Sequence, residues 1–388
     1  MRYVGRLSPT RASLGTIVAL GLGGAMVTPL LPVYVADSLG AGTVAVGIVV
    51  AAPLVGLILV QPFAGQVGDH LGGRILVLVG LGVFVLATAA YAYPPSLALL
   101  VGFRLLAGVG SGLVVIGTLK AVVDDSPSHR RGESVSVYSL ATNASNAVGP
   151  VVGTAVATIS SFGGATILSA LVAMLGVFPA RGVPRQEHAE QERRTLRFSV
   201  DALTHRPALR PSAVLAIGFV GTAVVFTLVP LYLSQMGSNS AGWALAAFAL
   251  AITAVRLLAR RVPDRLGHRA CSVLALSLIG LGLGTMAATS SLAGVVAAVS
   301  VIGVGHGFAY PALVASVMLV CSEDERATAL GTFTGATHAG FVAWCIAVGV
   351  LAAAVGMQAT FAIAGLAALS GIAIAVRLPT AEMTPEHA

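Results

Sequence analysis

The sequence predicts an all-α integral membrane protein whose twelve transmembrane helices form two six-helix bundles as parallel repeats. Three observations carry this prediction. Apolar residues make up 56% of the 388-residue chain and charged residues 10%, where a soluble domain carries about 25% charged residues. Apolar stretches long enough to cross hydrocarbon as a helix, about 20 residues, recur along the whole chain. Short patterns also return at one displacement of 195 residues. Asp69, Leu71, Gly72 and Arg74 reappear as Asp264, Leu266, Gly267 and Arg269. Gly108, Gly110, Gly112 and Arg131 reappear as Gly303, Gly305, Gly307 and Arg326.

The spans are expected near 14–36, 43–66, 75–93, 97–120, 134–158, 163–180, 211–233, 240–259, 270–288, 292–320, 327–352 and 357–376. The N-terminal six-helix bundle occupies 1–180, a polar linker 181–210 and the C-terminal six-helix bundle 211–388. The linker holds seven arginines with Glu187, Glu190, Glu192 and Asp201 interleaved, the composition of a solvated cytoplasmic connection. An even number of spans per half makes both halves enter the membrane in the same sense. In membrane proteins such repeats point to a transporter whose substrate site lies where the repeats meet.

A net charge of +7 would raise nucleic acid as a partner if the basic residues formed a patch, but they do not. With the N-terminus inside, the outer loops near 37–42, 94–96, 159–162, 234–239, 289–291 and 353–356 contain no Lys or Arg. The basic residues collect in the tails and the alternate loops, which is the positive-inside asymmetry. A multi-pass protein of the cell membrane with both termini cytoplasmic is expected, without nucleic-acid binding. The apolar run after Arg2, Arg6 and Arg11 is too long for a secretory signal and no small-residue cleavage site follows, so it reads as the first span. Cys271, Cys321 and Cys345 show neither metal spacing nor pairing and read as small apolar residues.

The first and seventh spans share Leu31, Pro32, Val33, Tyr34 and Val229, Pro230, Leu231, Tyr232, here offset by 198. Proline inside a membrane helix frees a carbonyl and permits bending where neighbours re-satisfy it. A flexing element and a plain structural kink both fit.

These residues resemble the major facilitator superfamily of secondary transporters, and the resemblance covers essentially the whole chain. Its signature between spans 2 and 3 is matched by Gly65, Asp69, Gly72 and Arg74, with His70 and Gly73 standing where the family has basic residues. The second copy keeps Asp264, Arg265, Gly267 and Arg269, with Arg260 in place of the first glycine. The resemblance implies a conformational latch at the cytoplasmic surface, made in the outward-facing state and broken on inward opening. Glycines permit the tight turn, and Asp69 can pair with a cation or a helix N-terminus. Ordinary surface charge is the competing reading.

Span 4 carries Arg104 about 10 Å into the hydrocarbon at about 1.5 Å per residue. A cation there costs about 2.5–3.5 kcal/mol on insertion scales and usually faces an interior cavity. Arg104, Gly108 and Ser111 share one helical face, and the resemblance implies a role for the arginine in proton coupling. Snorkelling to the outer surface is the alternative. Val299 stands at the equivalent place in the second half. In span 5, Gly149, Pro150 and Gly153 resemble the antiporter motif of the drug:proton antiporter branch. Ser136, Ser145 and Thr154 replace outlying glycines, and small-residue packing accounts for the same pattern.

Other polar groups at membrane depth are Asn143, Asn146, His306, Tyr310 and His338, with Tyr34 and Tyr232 beside the paired prolines. His338 aligns with Asn143 and His306 with Ser111. Tyr34, Ser111, Asn143, Asn146, Tyr232 and Tyr310 are cavity-lining candidates. No carboxylate lies deep in a predicted span, so the proton-carrier candidates are Asp37 at the outer end of span 1, then His306, then His338.

The expected function is alternating-access export of a hydrophobic or amphipathic small molecule against protons. The partners are that solute, protons and the bilayer, and a monomer is expected. An uptake or facilitative carrier for a sugar, amino acid or other metabolite is the alternative, with Arg104 binding an anionic solute. A non-transporting membrane sensor is a third reading. No nucleophile–base pair, metal cluster or nucleotide loop is present in the sequence, so no enzyme, metal or cofactor is expected.

Overall fold

A computed structural model describes residues 8–94, 96–127, 130–184, 205–259, 262–322 and 325–379. The described residues are helical throughout, with no strand among them. In chain order the long helices are α1 (Pro9–Val27, continued by Leu30–Val33 and a π-turn Tyr34–Ser38), α2 (Thr43–Leu71), α3 (Gly73–Ala90), α4 (Leu97–Asp125), α5 (Arg131–Ile159) and α6 (Phe162–Met174, continued by Val177–Ala180). The second set is α7 (Leu209–Thr227, continued by Val229–Gln235), α8 (Ala241–Leu258), α9 (His268–Ala288), α10 (Leu292–Met318), α11 (Arg326–Val355) and α12 (Met357–Ser370, continued by Ile372–Ala375). Among the described residues, eleven are long and apolar enough to cross a membrane. The exception is α5, whose 29 residues reach about 43 Å at ~1.5 Å per residue. Its serines, threonines and asparagines dilute the apolar run without shortening the helix.

Two compact units result: Met1–Ala41 with Ile48–Arg193, and Gly42–Gly47 with Arg194–Ala388. Inside each unit the same joints recur. In the first, a Cβ added to Gly108 would collide with the Pro53 carbonyl of α2, and one on Gly112 would come within 2.6 Å of Val60. The intervening Gly110 turns instead to α3, where its Cβ would lie 2.6 Å from the Gly80 carbonyl. The second unit repeats this alternation. Gly303 and Gly307 meet α8 at the Phe248 carbonyl (2.6 Å) and Val255 (2.8 Å), and Gly305 meets α9 at the Ala275 carbonyl (2.7 Å). Glycines spaced by two therefore wedge one helix between two neighbours at backbone contact distance, a mode small residues make available in membranes.

A second seam joins α5 to α1. Ser145 donates to the Val18 carbonyl at 3.2 Å, a Cβ added to Gly149 would come within 2.6 Å of Ala25, and one on Gly153 would collide with the Met26 carbonyl. In the second unit a Cβ on Gly340, the counterpart of Ser145, would come within 2.6 Å of Ala216, and Trp344 Nε1 donates to the Ala216 carbonyl at 3.0 Å. Serine caps repeat as well. Ser96 starts α4 by accepting from the Leu99 N–H, and Ser291 starts α10 by accepting from the Gly294 N–H. Such a cap contributes about 1 kcal/mol.

The turns entering α3 and α9 have the same backbone, with Gly72 at φ +84° and Gly267 at φ +77°. Here an L side chain is strained, so glycine is required. The proline signatures fall at interruptions of α1 and α7. The first helix breaks at Thr28 and Pro29 and later widens into the π-turn, and the seventh breaks at Leu228.

Candidate functional site

Each unit builds its own polar interior. In the first, Arg104 Nε donates to the Val49 carbonyl of α2 at 3.3 Å, and its guanidinium carbon stands 5.8 Å from the centroid of the Tyr91 ring. Tyr91 is buried. The reason for the carbonyl contact lies four residues further along α2. A helical carbonyl normally accepts from the N–H of residue i+4, and Val49 is followed at that spacing by Pro53, which has none. Arg104 answers the carbonyl that Pro53 leaves open. Gly108 brings α4 against the Pro53 backbone one turn inward, which sets the arginine at the right height. At the equivalent places the second unit has Val299 for Arg104 and Phe248 for Pro53. The proline and the arginine are absent together.

Among the described residues the partners of Arg104 are neutral, the Val49 carbonyl and the Tyr91 ring. Ser111 donates back to the Gly108 carbonyl at 2.9 Å. On α5, Asn143 is half-buried with its Nδ2 unpartnered, while Asn146 is exposed. Tyr34 stacks on Phe162 at the start of α6, with ring centroids 3.9 Å apart, and Asp37 is exposed in the π-turn.

The second unit places His306 at the edge of a ring cluster. Its Nδ1 is 3.4 Å from Thr222 Oγ1 of α7, and its ring lies 4.9 Å from Phe219 and 6.3 Å from Phe248. Phe226 and Phe341 complete the cluster, Phe341 lying 5.8 Å from Phe219 and 6.4 Å from Phe226. Edge-to-face rings at such spacing attract one another. His338, the counterpart of Asn143, is half-buried and its Nδ1 also has no hydrogen-bond partner. Two repeat-related positions thus present unanswered polar atoms, where buried polar groups are nearly always paired. Tyr232 donates to the Thr289 carbonyl at 2.6 Å and packs edge-on to Phe361 at 5.4 Å. Tyr310 is exposed, with Arg256 over its ring at 5.8 Å and Phe333 at 5.9 Å.

Of the latch residues, Gly65 and Asp69 lie in α2 and Asp264 in the short helix Val262–Leu266. The side chains of Asp69 and Asp264 fall outside the described residues, as does Arg260. Arg74 Nε donates to the Val183 carbonyl at the end of the first unit at 2.8 Å. Arg265 and Arg269 are exposed. Gly149 and Gly153 form the α1 seam, and Pro150 sits within α5 beside it. The three cysteines are free. Sequence reasoning did not find the phenylalanine cluster or the link between Pro53 and Arg104. The first has no periodic signal, and the second needed only the i+4 rule applied to a proline across from an arginine.

Two repeated six-helix units, jointed by glycines and carrying sparse polar groups at membrane depth, define a polytopic membrane transporter. The chain matches the Major Facilitator Superfamily profile over residues 14–240 and again over 236–387, and it belongs to that family. An uncharacterized MFS-type transporter of Salmonella typhimurium is 24% identical over 353 residues, 89% of this chain and 90% of that one. Quinolone resistance protein NorA of Staphylococcus aureus is 31% identical over 144 residues, 37% of this chain and 36% of the relative. Among solved structures, a POT family transporter in complex with thioalcohol conjugated peptide superimposes with a TM-score of 0.80 at 12% identity, covering 94% of both chains. One in complex with 5-aminolevulinic acid gives 0.80 at 13% identity, over 97% of this chain and 96% of that one. At such identities the likeness shows the fold.

Proposed function

We propose that this transporter exports hydrophobic or amphipathic small molecules in exchange for protons, by alternating access across the cell membrane. The observation that carries the reading is the cluster of Phe219, Phe226, Phe248 and Phe341 beside His306. It offers large apolar rings and a single titratable group, with no array of charges to hold a sugar phosphate or a carboxylate. Within each unit an unpartnered atom, Asn143 Nδ2 in the first and His338 Nδ1 in the second, is available to hydrogen-bond a polar group of a solute. In the other unit Arg104 holds a positive charge on neutral groups, the Val49 carbonyl and the Tyr91 ring. Asp37, His306 and His338 are the carrier candidates, in that order. A relative named for quinolone resistance supports export, because a membrane transporter lowers a compound's internal concentration by moving it out.

Both termini lie in the cytoplasm in this reading, the protein acts as a monomer, and the units 1–180 and 211–388 move about the 181–210 linker. The loops holding Asp69, Arg74 and their second-half counterparts latch one state. The test is transport in proteoliposomes with an imposed pH gradient, offering a quinolone, a cationic dye, a dipeptide and a sugar. Quinolone or dye movement only with the gradient is the expected result, with Arg104→Ala abolishing concentrative transport. Sugar or amino-acid equilibration without the gradient would replace the proposal by a facilitative carrier. Inertness toward the whole panel would favour a sensor.

A further inference from the structure

Three arginines, two of them four residues apart and the third far along the sequence, line one cavity in the second unit. Arg206 lies in the 3-10 turn Arg206–Ala208, Arg210 in the first turn of α7 and Arg377 just past the end of α12. With Pro207, Val320 and Pro379 they line a cavity of about 340 Å³. That is room for about ten water molecules at ~30 Å³ each, enough for a phosphate and the carbons attached to it. No carboxylate among the described residues lines it. Among the described residues none of the three guanidiniums has a hydrogen-bond or ion-pair partner, although all three are exposed.

The chain segments that carry them are fixed from below. Ala208, Val317, Ala375 and Leu378 are fully buried in one apolar cluster, so the ends of α7, α10 and α12 share a floor. Three cations held over a common floor repel one another. Guanidinium forks match the oxygens of a phosphate and bind it with paired hydrogen bonds. The cavity lies at the ends of three spanning helices, which is the depth of lipid headgroups. Positive-inside topology explains why arginines occur on this face. It does not explain three of them converging on one hollow while Arg130, on the same face of the first unit, is paired with Glu133 at 2.9 Å.

We propose that Arg206, Arg210 and Arg377 bind the phosphate of an anionic phospholipid of the leaflet that borders the basic loops. The lipid ties the ends of α7, α10 and α12 together and anchors the second unit in that leaflet. This is independent of the solute carried.

The test uses the full-length protein in a neutral detergent, titrated with dioctanoyl phosphatidylglycerol, dioctanoyl phosphatidylcholine and inorganic phosphate. Binding is read by native mass spectrometry. The wild type is expected to take up phosphatidylglycerol saturably at one site and phosphatidylcholine at least tenfold more weakly. Each basic residue near an anionic lipid surface contributes about fivefold in affinity. Arg206→Gln combined with Arg377→Gln should therefore weaken phosphatidylglycerol binding by about 25-fold, whereas Arg131→Gln combined with Arg181→Gln should leave it within about twofold. If the first pair does not fold, Arg210→Gln alone should still lose about fivefold. Equal binding of the two lipids, or an unchanged affinity in the Arg206, Arg210 and Arg377 variants, overturns the proposal. Displacement of the lipid by inorganic phosphate at equal concentration also overturns it, because the site would then serve a free anion.

Discussion

If Arg104 exists in part to answer the carbonyl that Pro53 leaves open, the two residues must be energetically coupled. Arg104→Ala removes a charge-assisted hydrogen bond to the Val49 carbonyl and strands that oxygen where α2 and α4 touch, a loss of about 1.5–3 kcal/mol. Pro53→Ala restores a backbone N–H at the i+4 position, so the helix can bond the carbonyl itself. In that background Arg104→Ala should cost about 1–2 kcal/mol less, a coupling within the ~0.5–3 kcal/mol range of contacting residues. The desolvation of the arginine and its contact with Tyr91 are common to both backgrounds and cancel in the cycle. For a unit of this size about 1 kcal/mol corresponds to ~2–4 °C in the melting midpoint, so the non-additivity should be about 2–8 °C. The assay is the monodisperse fraction recovered after heating, for the wild type, both single variants and the double variant. Additivity within about 0.5 kcal/mol would refute the argument and return Arg104 to a role confined to transport.

Further predictions concern the joints, turns and one surface acid. Gly153→Ala forces a Cβ into the Met26 carbonyl and should lower stability by about 1–3 kcal/mol. Gly284→Ala, with nothing within 4 Å of the added carbon, should leave stability unchanged or raise it by about 0.4–1 kcal/mol; equal melting of the two variants would remove the α1–α5 seam. Gly72→Ala and Gly267→Ala, at φ +84° and +77°, should each cost about 1–2 kcal/mol, while Gly73→Ala, which meets nothing, should be silent in the same melting assay. Arg74→Ala should slow turnover while solute binding is retained, and parallel loss of binding would argue against a latch.

Glu325 accepts from the Ser322 N–H at 3.1 Å and hydroxyl at 2.8 Å, which holds its carboxyl below the ordinary glutamate range. A lowered folded value gives stability that is present above about pH 4.3 and lost as pH falls through the folded value. Glu325→Gln should therefore flatten the fall in melting midpoint between about pH 5 and pH 3, and an unchanged slope would show the carboxylate bonds to be without effect.

The membrane class and the duplication were legible because both are written locally. Runs of apolar residues set the spans, and the offset linking Asp69 to Asp264 predicted that Gly72 and Gly267 would make the same turn. The glycine triplets were legible as a repeat, though not as joints that turn alternately to two neighbours, because partners such as Pro53 and Gly80 lie far away in sequence. Placing α5 among the spans depended on helix length, since its polar residues weaken the apolar signal. The phenylalanines beside His306 come from three helices, and Arg377 lies far along the sequence from Arg206 and Arg210, so neither group has a single spacing to read. Tyr34 and Tyr232 were marked by adjacent prolines, but only the folded chain shows each ring resting on a phenylalanine of its own unit, Phe162 and Phe361.

The glycine joints have a consequence for how such a molecule can be altered. Where two helices meet through bare main chain, the fit depends on no rotamer and on no matched pair of side chains. Exchanging residues elsewhere on those helices leaves these contacts undisturbed. On the proposed reading, the interior can be re-lined for a different cargo at Phe219, Asn143 or His338 while the packing inside each unit keeps its geometry. Conversely, one methyl group added at Gly108 would disturb the machinery more than a new ring in the interior would.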